Sequence, residues 1–123
     1  MITLYGIPNC DTVKKARAWL VSEGMKHTFY DFKKHGVPAD RLAAWCQAVG
    51  WNTLLNRQGT TWRKLSADVQ AGALDAAGAQ ALMLAHPSVV KRPVVEWPDG
   101  AMTVTVTVTV GFDAAAWLKI IKK

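Results

Sequence analysis

The sequence predicts an α/β fold with a mixed sheet, and three features of the chain indicate it. A short apolar strand, a turn and an amphipathic helix occupy residues 1–21, and a second strand follows at 27–32. Residues 38–85 show helical patterns alone. Residues 93–110 return to strand-type sequence before a last helix. The predicted order is therefore β-α-β, a helical insertion, then β-β-α.

Length and composition fit one folded domain over residues 1–123. Half of the residues are hydrophobic, and a chain of this length can bury a core. No apolar run approaches the roughly 18 residues of a membrane helix, and the N-terminus lacks the regions of a signal peptide. Two cysteines do not make a disulfide framework. These features predict a cytoplasmic protein with no membrane partner.

The charge of the chain bears on its partners. A net charge of +6 suits an anionic substrate or a nucleic-acid surface. The basic residues, however, are scattered in pairs such as Lys33-Lys34, without a basic arm. We therefore expect a solvated basic surface and an anionic substrate, not a nucleic-acid partner.

The first strand leads through a tight turn into the first helix. Ile2 and Leu4 are strand-type residues, and Gly6 and Pro8 mark the turn through free and fixed φ respectively. Spacings of three and four residues then predict one apolar stripe on the helix. The stripe comprises Val13, Ala16 and Leu20.

One cysteine stands at the start of this helix, in the helix-start sequence Asn9-Cys10-Asp11-Thr12. Unpaired N–H groups and the positive end of the helix dipole favour a thiolate there. Lys14, one turn along, adds positive charge. A small buried hydrophobe is the alternative role for a lone cysteine. Since a turn precedes it and a helix follows it, we interpret Cys10 as a nucleophilic thiolate.

The second cysteine decides how a disulfide at Cys10 would be resolved. A dithiol oxidoreductase would carry its partner cysteine at position 13, where this chain has Val13. The site is therefore monothiol, and either Cys46 or another molecule must act as the resolving thiol. Cys46 shares an apolar helical stripe with Leu42 and Trp45. Core packing is its better-supported role, and a resolving role stays open.

The middle of the chain is predicted from its turn and cap residues. The β-α-β unit implies a parallel pair of strands. Residues 33–37 are predicted as a loop, after which Pro38 opens a helix at a first-turn position. Residues 51–59 are predicted as a second loop, followed by a short helix at 60–65. Asp75 begins a further helix that ends before Pro87.

The last strand is a run of alternating threonine and valine. Residues 102–110 predict a strand with valines on the buried face and threonines outward. Extended from Ala101, it would reach about 33 Å and outrun its shorter partner strand. Three outcomes stay open: a bend, pairing with another chain, or an overhang that water satisfies. Asp113 then caps a final helix.

Four sequence blocks occur in a fixed order across nearly the whole chain: YGIPNCDTVKKARAWL at 5–20, LLNRQGTTWRKL at 54–65, HPSVVKRPVV at 86–95 and VGFD at 110–113. Together they resemble the ArsC/Spx/YffB family, the arsenate-reductase-like branch of the thioredoxin superfamily. The first block is most similar to the YffB branch. The resemblance implies a thioredoxin-like fold, in which residues 38–85 form an all-helical insertion.

The resemblance also implies an active site around Cys10. Cys10 would be the catalytic nucleophile, glutathione the outside thiol and co-substrate, and no cofactor would be bound. A cis-proline is implied at Pro93, beside the cysteine. Arg92 would then direct its planar guanidinium at an anion near Cys10. A surface arginine at a strand start is the alternative for Arg92.

Three further residues are candidates for substrate binding. Arg57 lies beside Asn56, the position that matches an anion-binding arginine of arsenate reductases, although a solvated loop arginine is an equal alternative. Asn9 and Lys14 flank the cysteine in the helix-start segment. The three histidines show no metal-ligand spacing, so we predict no metal site.

The chain departs from arsenate reductases at Gly6 and Val13, where those enzymes have histidine and serine, and it shows no third arginine before Gly111. These departures put arsenate reduction in doubt, and the resemblance implies a glutathione-dependent thiol–disulfide reductase. A true arsenate reductase is one alternative. An Spx-like regulator that binds RNA polymerase is the other, although such regulators typically carry a Cys-x-x-Cys switch that Val13 removes here.

Overall fold

The computed structural model of the protein describes residues 2–98 and 106–121. Over these residues the chain follows the predicted order of strands and helices. The strands are β1 (Ile2–Gly6), β2 (His27–Asp31), β3 (Val94–Pro98) and β4 (Val106–Val110). The helices are α1 (Asp11–Ser22), α2 (Phe32–His35), α3 (Ala39–Val49), α4 (Trp51–Leu54), α5 (Thr60–Lys64), α6 (Ala67–Gly72), α7 (Ala76–Ala85) and α8 (Ala114–Ile121), with a 3₁₀ turn at Pro87–Val89.

The four strands form one mixed sheet in the order β2-β1-β3-β4. β1 pairs in parallel with β2 and antiparallel with β3, and β4 joins β3 antiparallel. The predicted parallel pair and the predicted mixed sheet are both confirmed. The central strands are the most buried, because Leu4 on β1 and Val94 and Val95 on β3 have no exposed surface.

The chain divides into two compact units. The sheet unit comprises the described residues of Met1–Asp31 and Arg92–Lys123, and the helical unit comprises Phe32–Lys91. All four strands, α1 and α8 belong to the sheet unit, whereas α2 to α7 and the 3₁₀ turn belong to the helical unit. Within the described residues, no helix combines the length and apolar character that crossing a membrane would need.

The core of the sheet unit joins β1 and β3 to α1 and α8. The predicted α1 stripe is confirmed, since its three residues are fully buried. Trp117 of α8 makes edge contacts with Trp97 and Phe112, with ring centroids 5.0 and 4.9 Å apart. Each large side chain buried here stabilises the fold by about 1.5–3 kcal/mol. The core consists of Ile2, Leu4, Val13, Ala16, Leu20, Val95, Trp97 and Trp117.

The predicted loop at 33–37 is wrong in its first half, where α2 forms. The N–H of Gly36 donates to the carbonyl oxygen of Phe32 at 2.8 Å, which closes one helical turn. Phe32 is buried and packs against Trp45, with ring centroids 6.3 Å apart. The turn is therefore stabilised by a tertiary contact that periodicity over four residues does not reveal.

Two more short helices were missed because each has too few residues to show a helical period. α4 occupies the first part of the predicted loop at 51–59 and buries Leu54. α6 is capped by Ser66, whose Oγ accepts a hydrogen bond from the N–H of Val69 at 3.3 Å. Pro38 is the N-cap of α3 and not its first residue. The cap of α7 was predicted correctly, as Asp75 accepts from the N–H of Gly78 at 2.6 Å.

The register of β4 corrects the predicted faces of the threonine–valine run in part. Val95 lies opposite Thr109, and Trp97 lies opposite Thr107. Opposite residues of an antiparallel pair share a face, so these threonines lie on the side of the core residues Val95 and Trp97. Thr109 accepts a hydrogen bond from Trp97 Nε1 at 2.9 Å, while Val108 lies on the other face. The expectation of outward threonines is therefore wrong at Thr109.

The earlier part of this run, at 101–105, lies outside the described residues. The predicted bend, pairing with another chain or overhang of this part therefore stays a prediction. β4 itself pairs with β3 along its whole length, from Val106 to Val110. The predicted cap of the last helix is confirmed, because Asp113 Oδ1 accepts a hydrogen bond from the N–H of Ala116 at 3.2 Å.

Candidate functional site

Cys10 is the N-cap residue of α1. Its backbone is extended (φ −88°, ψ 125°), and its carbonyl oxygen accepts the first helical hydrogen bond, from the N–H of Lys14 at 2.9 Å. The N–H of Cys10 donates to the carbonyl oxygen of Ile7 at 3.2 Å, which closes the turn between β1 and α1. The predicted place of the cysteine at a helix start is thus confirmed, and its side chain is half-buried.

The surroundings of the Cys10 sulfur lower the pKa of the thiol. Partial burial is the largest single influence, and by itself it raises the pKa. It is outweighed by hydrogen bonding of the thiolate to the N–H of Val13, by the guanidinium of Arg92 through both a hydrogen bond and its charge, and by the N–H of Thr12. The Cys10 side chain makes no regular cap hydrogen bond. The N–H groups of Thr12 and Val13 therefore lower the pKa by stabilising the ionised thiolate.

The sheet brings Arg92 to Cys10 across the length of the chain. β1 and β3 are antiparallel neighbours, and Tyr5 near the end of β1 lies opposite Val94 at the start of β3. The residues before β3 therefore lie beside the end of β1, from which the chain turns into Cys10. Arg92 is half-buried there, and its guanidinium lowers the pKa of the Cys10 thiol through a hydrogen bond and its charge.

Pro93 connects Arg92 to the sheet. The Arg92–Pro93 peptide bond is cis, as the family resemblance implies, and Pro93 is buried. Its carbonyl oxygen accepts a hydrogen bond from the N–H of Gly111 at 2.8 Å. The segment that carries Arg92 is thereby fixed to the chain just after β4.

The structure does not group the other predicted binding residues, Asn9, Lys14 and Arg57, with Cys10 and Arg92. Asn9 and Lys14 are exposed on either side of Cys10 in the chain. Lys14 is not among the groups that shift the pKa of Cys10. Arg57 is exposed and belongs to the helical unit, in the segment after Asn56. The N–H of Asn56 donates to the carbonyl oxygen of Val89 at 2.7 Å. The structure thus groups Cys10 with Arg92 and leaves the roles of the other three as predictions.

Cys46 has the opposite electrostatic setting. It lies on α3 within the helical unit, next to the buried Trp45. Burial raises the pKa of the Cys46 thiol, which keeps it protonated. This favours the packing role over the resolving role, because a thiol attacks a disulfide only as its thiolate.

The sequence predicted unpaired N–H groups at the helix start, and those of Thr12 and Val13, at the second and third helical positions, lower the pKa of Cys10. The sequence did not reveal the close approach of Gly6 to Val13, where a Cβ atom at Gly6 would lie 2.7 Å from Val13 Cγ2. A glycine at the end of a strand that faces a helix could have indicated such an approach.

Metal binding by the described residues finds no support in the structure. In residues 2–98 and 106–121, no three histidine, cysteine, aspartate or glutamate side chains are grouped so that they could hold a metal ion.

Comparison with known proteins connects this geometry to a family. The sequence matches the ArsC family over residues 5–120. The structure is similar to that of a YffB protein, with a TM-score of 0.87 and 44% identity over 97% of each chain. It is also similar to an arsenate reductase (ArsC) related protein from Brucella melitensis, with a TM-score of 0.71 and 49% identity, over 99% of this chain and 95% of that one. The resemblance and the thioredoxin-like fold predicted from the sequence are confirmed.

A further relative has a different kind of function. The chain is 30% identical over 102 residues to the global transcriptional regulator Spx of Streptococcus pyogenes, with 77% of this chain and 71% of that protein covered. Proteins similar to this one thus include a regulator of transcription.

Proposed function

Because the chain belongs to the ArsC family, we propose that it is a glutathione-dependent thiol–disulfide reductase with Cys10 as its nucleophile. The observation that carries the proposal is the setting of the Cys10 sulfur, with the N–H of Val13 and the guanidinium of Arg92 as its stabilising neighbours. Both stabilise a thiolate. A half-buried thiolate next to a fixed cation is suited to exchange with an anionic thiol compound.

The reaction consists of three thiol–disulfide exchanges. The Cys10 thiolate attacks one sulfur of a substrate disulfide R–S–S–R′, forms the mixed disulfide Cys10–S–S–R and releases R′–S⁻. A glutathione thiolate then attacks Cys10 Sγ, which gives the Cys10–glutathione disulfide and R–S⁻. A second glutathione thiolate attacks the bound glutathione sulfur, so that oxidised glutathione leaves and the Cys10 thiolate is restored. Two glutathione molecules are oxidised for each disulfide reduced.

The same surroundings assist the last exchange. When the second glutathione attacks the Cys10–glutathione disulfide, Cys10 is the leaving group, and a thiol of lower pKa leaves faster. The N–H groups at the start of α1 and the charge of Arg92 therefore assist both the attack by Cys10 and its release.

The need for an outside thiol follows from the residues around Cys10. Val13 occupies the position where a dithiol enzyme would have its second cysteine, and burial keeps Cys46 protonated. Glutathione carries two carboxylates, and Arg92 offers a planar guanidinium that matches a carboxylate. Asn9, Lys14 and Arg57 are our further candidates for holding the anionic substrate, with no bound cofactor. A reducing cytoplasm would supply the glutathione.

The test is the reduction of 2-hydroxyethyl disulfide by glutathione, coupled to NADPH oxidation through glutathione reductase. We expect Cys10→Ser to lose the activity and the matched control Cys46→Ser to keep it. Mass spectrometry of Cys46→Ser treated with oxidised glutathione should show one glutathione on Cys10. Wild-type turnover no faster than the uncatalysed reaction, or full activity in Cys10→Ser, would refute the proposal.

A second candidate is an Spx-like regulator that binds RNA polymerase. The relationship to the regulator Spx favours it, whereas Val13 removes the Cys-x-x-Cys pair that the sequence resemblance associates with such regulators. A pull-down against purified polymerase subunits tests it. A stable complex formed by a protein without reductase activity would replace the first proposal with this one.

A further inference from the structure

Gly6 and Val13 pack so closely that position 6 has no room for a larger residue. A Cβ atom at Gly6 would lie 2.7 Å from Val13 Cγ2 and 3.4 Å from Val13 Cγ1. Val13 has no exposed surface and belongs to the core that joins β1 to α1. Because a valine in a helix has one strongly preferred side-chain rotamer, it cannot turn aside at low cost.

Glycine at position 6 is required by space and not by backbone conformation. The glycines with positive φ in the described residues are Gly24, Gly36, Gly50 and Gly111, and Gly6 is not one of them. Gly6 is the last residue of β1 and is paired with Asp31 of β2, so its backbone is ordinary strand. An alanine would fit this backbone, but the three atoms nearest to its Cβ atom would all belong to Val13.

We propose that Gly6 and Val13 form a packing pair that positions the first turn of α1 against the Cys10 sulfur, which makes both of them positioning residues for the nucleophile. The inference rests on the proposed role of Cys10. One residue, Val13, supplies both the side chain that is wedged against Gly6 and the N–H that faces the sulfur. Since packed interiors transmit small displacements, a shift of the Val13 side chain moves its N–H away from the thiolate.

The pair can be tested by a double-mutant cycle on the ionisation of Cys10. Gly6→Ala introduces the close contact, Val13→Ala removes the two Cγ atoms that cause it, and the double variant restores the room. Gly72→Ala is the matched control, because Gly72 has no positive φ and a Cβ atom there meets no atom within 4 Å. Each variant carries Cys46→Ser, and thiolate absorbance near 240 nm is titrated against pH. Asp11, Lys14 and Arg92 are unchanged throughout, so no charge is added or removed.

We expect Gly6→Ala to raise the inflection by about one pH unit, the size of one weakened hydrogen bond to a charged group. Gly72→Ala should titrate like the wild type, and the double variant should return to the inflection of Val13→Ala. An unchanged inflection in folded Gly6→Ala, or a double variant shifted as far as Gly6→Ala, would overturn the proposal.

The proposal can still be tested if the Gly6→Ala variant does not fold. If Gly6→Ala fails to fold, a folded double variant that titrates like Val13→Ala supports the pair, and a double variant that is unfolded while Val13→Ala is folded overturns it. No substrate enters the titration. Failure of the reductase proposal would appear instead as wild-type protein without glutathione-dependent turnover, whatever the titration shows.

Discussion

At the scale of single residues, the reactivity of Cys10 is set by opposing effects on one sulfur atom. Burial alone would keep the thiol protonated, as it does at Cys46. The difference between the two cysteines is that Cys10 has helix N–H groups and Arg92 as neighbours. Two half-buried thiols in one chain are therefore expected to differ in chemistry because of their polar contacts and not because of their exposure.

The first prediction concerns the ionisation of Cys10. The rate of iodoacetamide alkylation, measured against pH on the wild type and on Cys46→Ser, should show an inflection below the free-thiol value of about 8.5. Because the pKa is lower in the folded state, the unfolded chain binds more protons between the two pKa values. Ionisation of Cys10 therefore raises the free energy of unfolding as pH rises, and that contribution is lost as pH falls through the folded pKa. An inflection at or above about 8.5 would contradict this prediction.

The second prediction concerns Arg92. Arg92→Ala should raise the pKa of Cys10 and weaken glutathione binding, because a hydrogen bond to a charged group is worth about 1.5–3 kcal/mol, or roughly ten- to a hundredfold in affinity. Binding can be followed by calorimetry on a Cys10→Ser background. Arg63→Ala, which removes an exposed arginine of α5, is the control. Unchanged affinity together with a lower melting temperature would make Arg92 structural.

Cys10 could be predicted from physical reasoning on the sequence, whereas Arg92 could not. The signals for Cys10 are local, since a turn, cap residues and an apolar stripe all lie within the first 21 residues. The place of Arg92 depends on the register that sets Tyr5 opposite Val94, a pairing between residues about 90 positions apart. Only the family resemblance indicated it, because no local pattern specifies which strands become neighbours.

At the scale of elements, the sequence did not predict correctly which face of the threonine–valine strand is buried. The threonine–valine run has a perfect alternation, and alternation does not say which face is inward. Trp97 decides it, because a buried indole N–H needs an acceptor and the hydroxyl of Thr109 supplies one. The short helices α2, α4 and α6 were not predicted from the sequence, since four to six residues are too few to show a helical period.

The third prediction follows from the hydrogen bond between Trp97 and Thr109. Thr109→Val keeps the shape of the side chain but leaves the indole N–H of Trp97 without its acceptor, and the Trp97 residue is only 2% exposed. The expected loss is about 1–3 kcal/mol in the free energy of unfolding. Thr107→Val is the matched control, because Thr107 is exposed on the same strand and face. Its expected effect is within about 0.5 kcal/mol. Equal losses in urea unfolding of the two variants would contradict the assignment.

At the scale of the whole molecule, the sheet unit is built from the two ends of the chain. β1 and α1 near the beginning pack with β3 and α8 near the end, and the helical unit lies between them in sequence. The order of the strands and the longer helices could be predicted because these segments carry their own turn and cap signals. Assembly of the ends depends on strand pairing, which those signals do not encode. That the chain behaves as one domain with an inserted helical segment stays a prediction.

The last prediction concerns the substrate class of the whole protein, which we expect to reduce arsenate weakly or not at all. Releasing oxygen from an oxyanion requires protons, and a positioned acid supplies them efficiently, whereas exchange between thiolates and disulfides needs none at the sulfur. With Val13 in place, position 6 cannot accept even a Cβ atom without a shift, so no acid can be supplied from position 6. Arsenate reduction, assayed with glutathione and glutaredoxin, should therefore be far slower than reduction of 2-hydroxyethyl disulfide by the same preparation. Arsenate turnover as fast as the disulfide reaction would show that the protons come from another group, and it would make oxyanion reduction the better description of the site.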